Sequence, residues 1–349
     1  MNVIKIANRN IGPAYAPYIV AELSANHNGS LDKAKAIILA AKDMGADAVK
    51  LQTYTPDTLT IDSSKNDFLI KSGPWSGYKL YDLYKQAYTP FEWHKPLFEY
   101  CKEIDITCFS SPFDETAVDL LESLDCPAYK IASFEIVDIP LIKYAAKTGK
   151  PLIISTGMAN QKEIEEALAA AKEGGCQEII LLHCISSYPA PIEQSNLLTV
   201  PDIAKRFGVI SGLSDHTLGT VASVTAVALG ASFIEKHFTL DRNDKGPDSE
   251  FSLEPKEFFE LTSSTYSAWK ALGEAGYARK EAEEENVIFR RSLYFVETIK
   301  KGEVITSGNM RRIRPGYGIS PKYYESILGK KIEHDVYAGE PVKWTDISE

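Results

Sequence analysis

Short apolar runs alternate along this chain with longer segments that look helical. The runs are "YIVAEL" (18–23), "DAVKLQ" (47–52), "ITCFS" (106–110), "AYKIAS" (128–133), "PLIIST" (151–156), "EIILLHC" (178–184), "VISGLS" (209–214) and "SFIEKH" (232–237). Each has the length of a buried strand, and a helical pattern separates each pair. Two helix starts are well marked. Thr89, Pro90 and Glu92 suit the N-cap, N1 and N3 positions of a capping box, and Asn160 with Glu163 suits a second. The eighth helix is expected over 255–273. Residues 53–88 form a polar and aromatic insertion too long for a simple strand-to-helix loop.

Eight β/α units predict a parallel sheet with helical crossovers, closed as a (β/α)8 TIM barrel. A doubly wound open sheet is the alternative, but no GxGxxG follows the first strand to favour a dinucleotide fold. The pattern changes after residue 273. "EAGYARKEAEEEN" (274–286) reads as a linker or an exposed helix. Beyond it, "RRSLYFVETI", "GEVIT" and "GEPVKW" are strand-like runs with glycine turns. We therefore expect a catalytic barrel over 1–273, a linker over 274–286 and a small β-rich domain over 287–349.

Composition narrows the class. The 349 residues are 44% hydrophobic and 25% charged, as in an ordinary globular protein. No apolar run approaches the roughly 20 residues of a membrane span, and "MNVIKIANRNIGP" lacks the apolar stretch of a secretory signal. The expected compartment is the cytoplasm, with no membrane partner. Five scattered cysteines without a CxxC fit buried free thiols. A net charge of −10 argues against nucleic acid. It leaves room for a small anionic substrate in a local basic pocket.

Such a pocket is suggested by the strand ends, where barrel enzymes keep their chemistry. They carry Glu22; Lys50 and Gln52; Ser110 and Ser111; Lys130 and Ser133; Ser155 and Thr156; His183, Ser186 and Tyr188; Ser214, Asp215 and His216; Glu235, Lys236 and His237. One polar strand end is ordinary loop composition, but here all eight are polar. Alternation puts Glu235 and His237 on one face of the last strand, and His216 lies just past its neighbour. Two imidazoles there can coordinate one divalent ion with open positions for water or substrate. Mn²⁺ suits such a nitrogen and oxygen site, with Mg²⁺ or Co²⁺ as alternatives. The lysines and serines suit a phosphate and a carboxylate, or else form structural ion pairs and helix caps.

The segments "AELSANHNG" (21–29), "SSPFD" (110–114), "STGMA" (155–159), "LLHCISSYPAP" (181–191), "GLSDHTLG" (212–219), "EKHFT" (235–239), "GPDSEFSLEP" (246–255) and "RIRPGYGIS" (312–320) resemble the N-acetylneuraminate (sialic acid) synthase family. The resemblance runs nearly the full length. It implies a TIM barrel followed by a small antifreeze-like (SAF) domain, a divalent metal and a domain-swapped homodimer. It also implies condensation of phosphoenolpyruvate with an N-acetylated amino sugar to a nine-carbon nonulosonic acid.

By the same resemblance His216 and His237 are the metal ligands. Lys50, Ser111, Lys130, Ser133, Ser155 and Ser214 match phosphoenolpyruvate positions. Ser186 matches a position that is Asn in sialic acid synthases. Glu22, Tyr188 and Asp248 match sugar-side positions, and Glu235 lies near the reacting carbons. Arg314 matches an arginine that reaches the sugar in the other protomer's barrel. Ser186, Ser249, "LQTYTPDT" (51–58) and "YKLYDLYKQAYTPFEWH" (78–94) resemble the pseudaminic acid branch, whose sugar is 2,4-diacetamido-2,4,6-trideoxy-L-altrose. Neuraminate and legionaminic acid precursors are the alternatives. The tyrosines and Trp75 of the insertion either line an apolar sugar pocket or pack over the rim. Rival classes are a Schiff-base aldolase using Lys130 or Lys236 and a non-catalytic sugar-binding protein.

Overall fold

The computed structural model describes residues 3–73 and 75–348. It opens with a hairpin, β1 (Ile4–Ile6) and β2 (Arg9–Ile11). Eight parallel strands follow: β3 (Tyr18–Glu22), β4 (Ala48–Thr53), β5 (Thr107–Pro112), β6 (Tyr129–Ile131), β7 (Leu152–Ser155), β8 (Ile179–Cys184), β9 (Ile210–Asp215) and β10 (Phe233–His237). They close as a barrel in sequence order, with β10 returning to pair with β3. These are the eight predicted strands, with ends shifted by a residue or two. Almost every position in them is buried, because side chains fill the inside and helices cover the outside.

The covering helices are α1 (Leu31–Asp43), α4 (Phe91–Glu103), α5 (Glu115–Ser123), α6 (Ile139–Ala146), α7 (Gln161–Glu173), α8 (Thr199–Phe207), α9 (Val221–Ala228) and α10 (Pro255–Leu272). The capping box at Asn160 and Glu163 forms as expected, the Asn160 side chain accepting from Lys162 N and Glu163 N. The insertion contributes two further helices, α2 (Pro56–Leu59) and α3 (Leu80–Ala87), which the sequence reading left undivided.

The hairpin was also not expected. Its Ile4, Ile6 and Ile11 pack with Tyr18, Tyr129 and Phe233, which begin β3, β6 and β10. The N-terminal end of the barrel is therefore stoppered by apolar side chains, and only the C-terminal end can admit polar ligands.

The capping box expected at Thr89 does not form. Helix α4 starts one residue later, with Pro90 as its N-cap and no side-chain cap bond. The buried Thr89 hydroxyl turns instead to His27 Nε2 at 3.3 Å, while His27 Nδ1 accepts from Gly29 N at 3.1 Å. This ties the "SANHNG" loop to the start of α4. Burial pushes the His27 imidazole down to about 4. Its folded value lies below its unfolded value, so its contribution is present above pH ~6.5 and is lost as the pH falls through 4. We expect unfolding in urea to show a stability loss on the order of 3 kcal/mol between pH 7 and 4 from this group. His27→Asn should flatten that slope, and an unchanged slope would remove His27 as its cause.

The chain divides after Gly273 into two compact units. Residues 281–289 form two exposed 3-10 turns. The second unit has its own core of Leu293, Phe295, Ile299, Ile305, Met310, Ile327 and Val342. Its regular strands are β11 (Ser292–Phe295) and β12 (Met310–Ile313), followed by a short helix α11 (Tyr324–Ile327). "GEVIT" and "GEPVKW" make only isolated bridges, Val304 to Lys331 and Tyr294 to Pro341. The glycine turns leave them too few consecutive partners for a ladder.

Candidate active site

Side chains at the C-terminal strand ends meet inside the barrel in one charged network. Lys50 Nζ lies 2.8 Å from Glu22 Oε2 and 3.3 Å from Glu235 Oε1, and donates to Ser111 Oγ at 3.3 Å. Lys130 Nζ lies 3.2 Å from the same Glu235 oxygen, which also accepts from Ser214 Oγ at 3.2 Å. Side chains from three other strands, β4, β6 and β9, thus converge on the one carboxylate that β10 carries. Glu235 Oε1 has three donors, whereas its Oε2 has none. All of these groups are buried.

Two ammonium and two carboxylate groups out of water are a poor device for stability, since apolar packing serves as well. They make sense as a site. Burial pushes the Glu235 carboxyl up, but Lys130 and Lys50 more than reverse this and hold it at about 2. Lys50 is shared between two carboxylates and cannot neutralise both, so burial leaves Glu22 raised to about 6.

Beside the network lies a hydroxyl cluster. Ser133 Oγ and Ser186 Oγ are 2.8 Å apart, and the buried Ser155 Oγ has no partner. Gly157 approaches this pair with φ +43°, and a Cβ there would overlap Ser133 and crowd Ser186 Oγ at 2.6 Å. Only glycine lets the backbone pass this close to the two serines. Ser186, the departure from Asn, therefore belongs to the cluster.

The two histidines form the third part. Their ring centroids are 5.5 Å apart, and the Tyr188 ring lies 4.2 Å from His216 and 6.1 Å from His237. His216 Nδ1 is 2.9 Å from Ile185 O, an atom that can only accept, so Nδ1 carries the proton and Nε2 is free to ligate. His237 Nδ1 is buried without a hydrogen-bond partner. Burial, with His216 and Lys50 nearby, keeps His237 neutral, as a metal ligand must be. This donor set fits a divalent cation held by two imidazoles, with its other positions left to small oxygen ligands. No cluster of three or more His, Cys, Asp or Glu metal donors occurs among the described residues.

The residues that the resemblance matches to sugar positions continue the network. Gln52 Nε2 donates to Glu22 Oε1 at 2.9 Å and to Ser24 Oγ at 3.1 Å. Ser24 Oγ donates in turn to Asp248, which also accepts from Ala25 N at 3.2 Å. Trp75 Nε1 donates to Pro247 O at 3.0 Å, and its ring lies 5.8 Å from Tyr188. The insertion thus fastens the loop bearing Asp248. Ser249, by contrast, spends its hydroxyl tying two loops together, accepting from Gly246 N in its own loop and donating to Asn26 in the loop after β3.

Some strand-end residues point elsewhere. His183 Nε2 lies on Ser195 O at 2.6 Å, and Lys236 pairs with Asp215 at 2.8 Å on the helix side of the barrel. Arg314 belongs to the second unit, just past β12, with its side chain exposed. One group was missed. Glu135, two residues after Ser133, has a buried Oε2 without a partner, and burial raises its carboxyl to about 7. It sits in a turn rather than at a strand end, so the strand-end rule passed over it.

The same chain matches known proteins along its length. Residues 37–277 match the NeuB family, and residues 290–348 match the SAF domain. The chain belongs to the NeuB family. Among its NeuB-family relatives, pseudaminic acid synthase of Helicobacter pylori is 45% identical over 332 residues, covering 95% of this chain and 98% of that protein. Pseudaminic acid synthase of Campylobacter jejuni is 46% identical, covering 94% and 96%. The crystal structure of N-acetylneuraminic acid synthetase from Leptospira borgpetersenii superposes with a TM-score of 0.73 at 33% identity, covering 82% of this chain and 95% of that one.

Proposed function

We propose that the chain is a pseudaminic acid synthase, condensing phosphoenolpyruvate with 2,4-diacetamido-2,4,6-trideoxy-L-altrose and releasing phosphate. The observation that carries this reading is Glu235, held between Lys50 and Lys130, with the Ser133–Ser186 hydroxyl pair and the unpartnered Ser155 hydroxyl at the ends of the strands that follow. An anion with two acidic groups entering there gives each lysine a new partner. The similarity to the Helicobacter and Campylobacter proteins supports the choice of sugar.

Lys50, Ser111, Lys130, Ser133, Ser155, Ser186 and Ser214 hold the phosphate and carboxylate of phosphoenolpyruvate. Glu22, Tyr188 and Asp248 orient the open-chain sugar. A divalent ion held by His216 and His237, best Mn²⁺ with Mg²⁺ or Co²⁺ as substitutes, supplies Lewis-acid polarisation of the sugar aldehyde. C3 of phosphoenolpyruvate forms the new bond to that aldehyde carbon, and positive character develops at C2. As the lysines turn to the substrate anions, Glu235 regains basicity and takes a proton from the water that adds at C2. Collapse breaks the C2–O bond, and phosphate leaves against the lysine and serine donors. Glu22 and Glu135, whose carboxyls burial raises toward neutrality, suit the remaining proton transfers.

Phosphate release with phosphoenolpyruvate and each sugar separately tests the reading. The diacetamido-trideoxy sugar should give a kcat/KM at least about 10²-fold above N-acetylmannosamine, the discrimination a site built for an extra polar group can reach. Preference for N-acetylmannosamine, or for the legionaminic acid precursor, would assign the chain to a sister activity. Release with none would revive a binding role.

We further propose a cytoplasmic homodimer in which the small unit of one protomer covers the other's barrel mouth. All five cysteines are buried and free, which supports a reducing compartment. Among the described residues no helix is long and apolar enough to cross a membrane. Phe134, Val137, Met158, Leu198 and Leu218, with Val221 at the start of α9, are exposed on the segments that follow the C-terminal strand ends. Ile288, Phe289, Ile313 and Tyr317 are exposed around Arg314 on the small unit. Two such apolar surfaces support burial against each other. Arg314→Ala should raise the sugar KM more than that of phosphoenolpyruvate. Co-expressed with His237→Ala, it should give mixed dimers with one complete site and activity above either parent. Mixed dimers no better than the parents would refute the swapped arrangement.

A further inference from the structure

We propose that Asp215 and Lys236 are a positioning pair that sets the imidazoles of His216 and His237 for a divalent cation; the proposal rests on reading those histidines as the cation's ligands. The two residues are cross-strand neighbours on β9 and β10. Strand alternation turns them outward, because Ser214 and Glu235, the preceding pair in the register, meet inside the barrel. Ser223, on the covering helix α9, reaches the same carboxylate from outside.

The contacts around this pair leave little freedom. Asp215 Oδ1 accepts from Thr217 N and Thr217 Oγ1, each at 2.8 Å. Asp215 Oδ2 accepts from Ser223 Oγ at 2.6 Å and lies 2.8 Å from Lys236 Nζ. Lys236 Nζ donates again to Thr217 O. His216 therefore sits between two residues that are both fixed, Asp215 through its carboxylate and Thr217 through its N–H, hydroxyl and carbonyl. His216 O is itself held, accepting from Ala190 N at 2.9 Å. On the neighbouring strand Lys236 is anchored immediately before His237. One ion pair thus fixes the backbone on which both imidazoles stand, and the spacing of the two strand ends with it.

Stability alone gives weak reason for such a pair. Both side chains are 1% exposed, and a buried ion pair is commonly replaceable by apolar side chains without loss. Packing alone would not hold two rings at a fixed separation, whereas a carboxylate saturated by four donors does. The same geometry takes Lys236 out of consideration as a Schiff-base nucleophile, since its nitrogen faces the helices and is occupied there.

The test is Mn²⁺ affinity of the full-length protein, read from the electron paramagnetic resonance of free Mn²⁺, with no turnover involved. Lys236→Met leaves Asp215 three donors and should keep its fold in urea unfolding. Its Mn²⁺ affinity should fall about 10- to 100-fold, the range for groups that orient metal ligands. Ser223→Ala removes one donor from the carboxylate and should weaken Mn²⁺ in the same direction by a smaller factor. It decides the matter should Lys236→Met not fold. Phosphoenolpyruvate affinity without metal should be unchanged in both variants, which a general loosening of the barrel would not allow. Wild-type affinity in the variants would overturn the positioning pair and leave the histidine reading intact. Absence of Mn²⁺ binding by the wild type would overturn both.

Discussion

A Lys50→Met variant is expected to lose about 10²–10³-fold in kcat, the cost of removing one donor from a developing charge. It should also lose about 3–5 kcal/mol of stability, because Glu22 loses its ammonium partner in the barrel interior and Glu235 keeps only Lys130. The two losses can be separated. In Glu22→Gln with Lys50→Met no ionised Glu22 remains, and much of the stability should return while activity stays low. Steady-state phosphate release and urea unfolding of the three proteins measure this. A Lys50→Met enzyme with wild-type kcat would show that the network is a structural ion-pair cluster, the reading the sequence alone left open.

Removal of divalent metal is expected to have a still larger effect. Chelation should abolish condensation, and Mn²⁺, Co²⁺ or Mg²⁺ should restore it. His237→Ala should be inactive with its fold intact, because the His237 ring has a buried Nδ1 that makes no hydrogen bond to lose. The same variant gives the polarising role a structural control, since Lys50, Lys130 and Glu235 bond one another without it. Full turnover in chelator, with metal content verified as nil, would contradict the assignment of His216 and His237.

The barrel was legible because each strand is buried on both faces and reads as an unbroken apolar run between helical patterns. The polar residues that interrupted those runs were the better guide to the site. Glu235 inside "SFIEKH" has no reason to be in a barrel strand unless cations meet it, and Lys50 and Lys130 do. Direction was harder to read than position. Asp215, Lys236 and His183 are strand-end residues too, and they face outward or into loops. A one-residue difference in register decides which face a side chain takes. Glu135 escaped because it sits in a 3-10 turn after β6 that packs against α6 and α7, and no local periodicity marks such a contact. Thr89 was misassigned for a related reason. Its hydroxyl is as able to bond His27, far away in sequence, as the first turn of its own helix. Ser249 marked the pseudaminic acid branch by position, and its hydroxyl ties its own loop to the loop after β3.

In the proposed reaction the lysine and serine donors receive the phosphate of phosphoenolpyruvate as its C2–O bond breaks, with water adding at C2. Turnover of phosphoenolpyruvate and the diacetamido-trideoxy sugar in ¹⁸O-labelled water tests it most directly, with mass spectrometry of the phosphate and of the nine-carbon product. C2–O cleavage predicts one phosphate per product, free of ¹⁸O, with the label entering the product at C2. Phosphate carrying ¹⁸O would mean that water attacks phosphorus, and no phosphate at all would mean that the barrel does not perform this condensation.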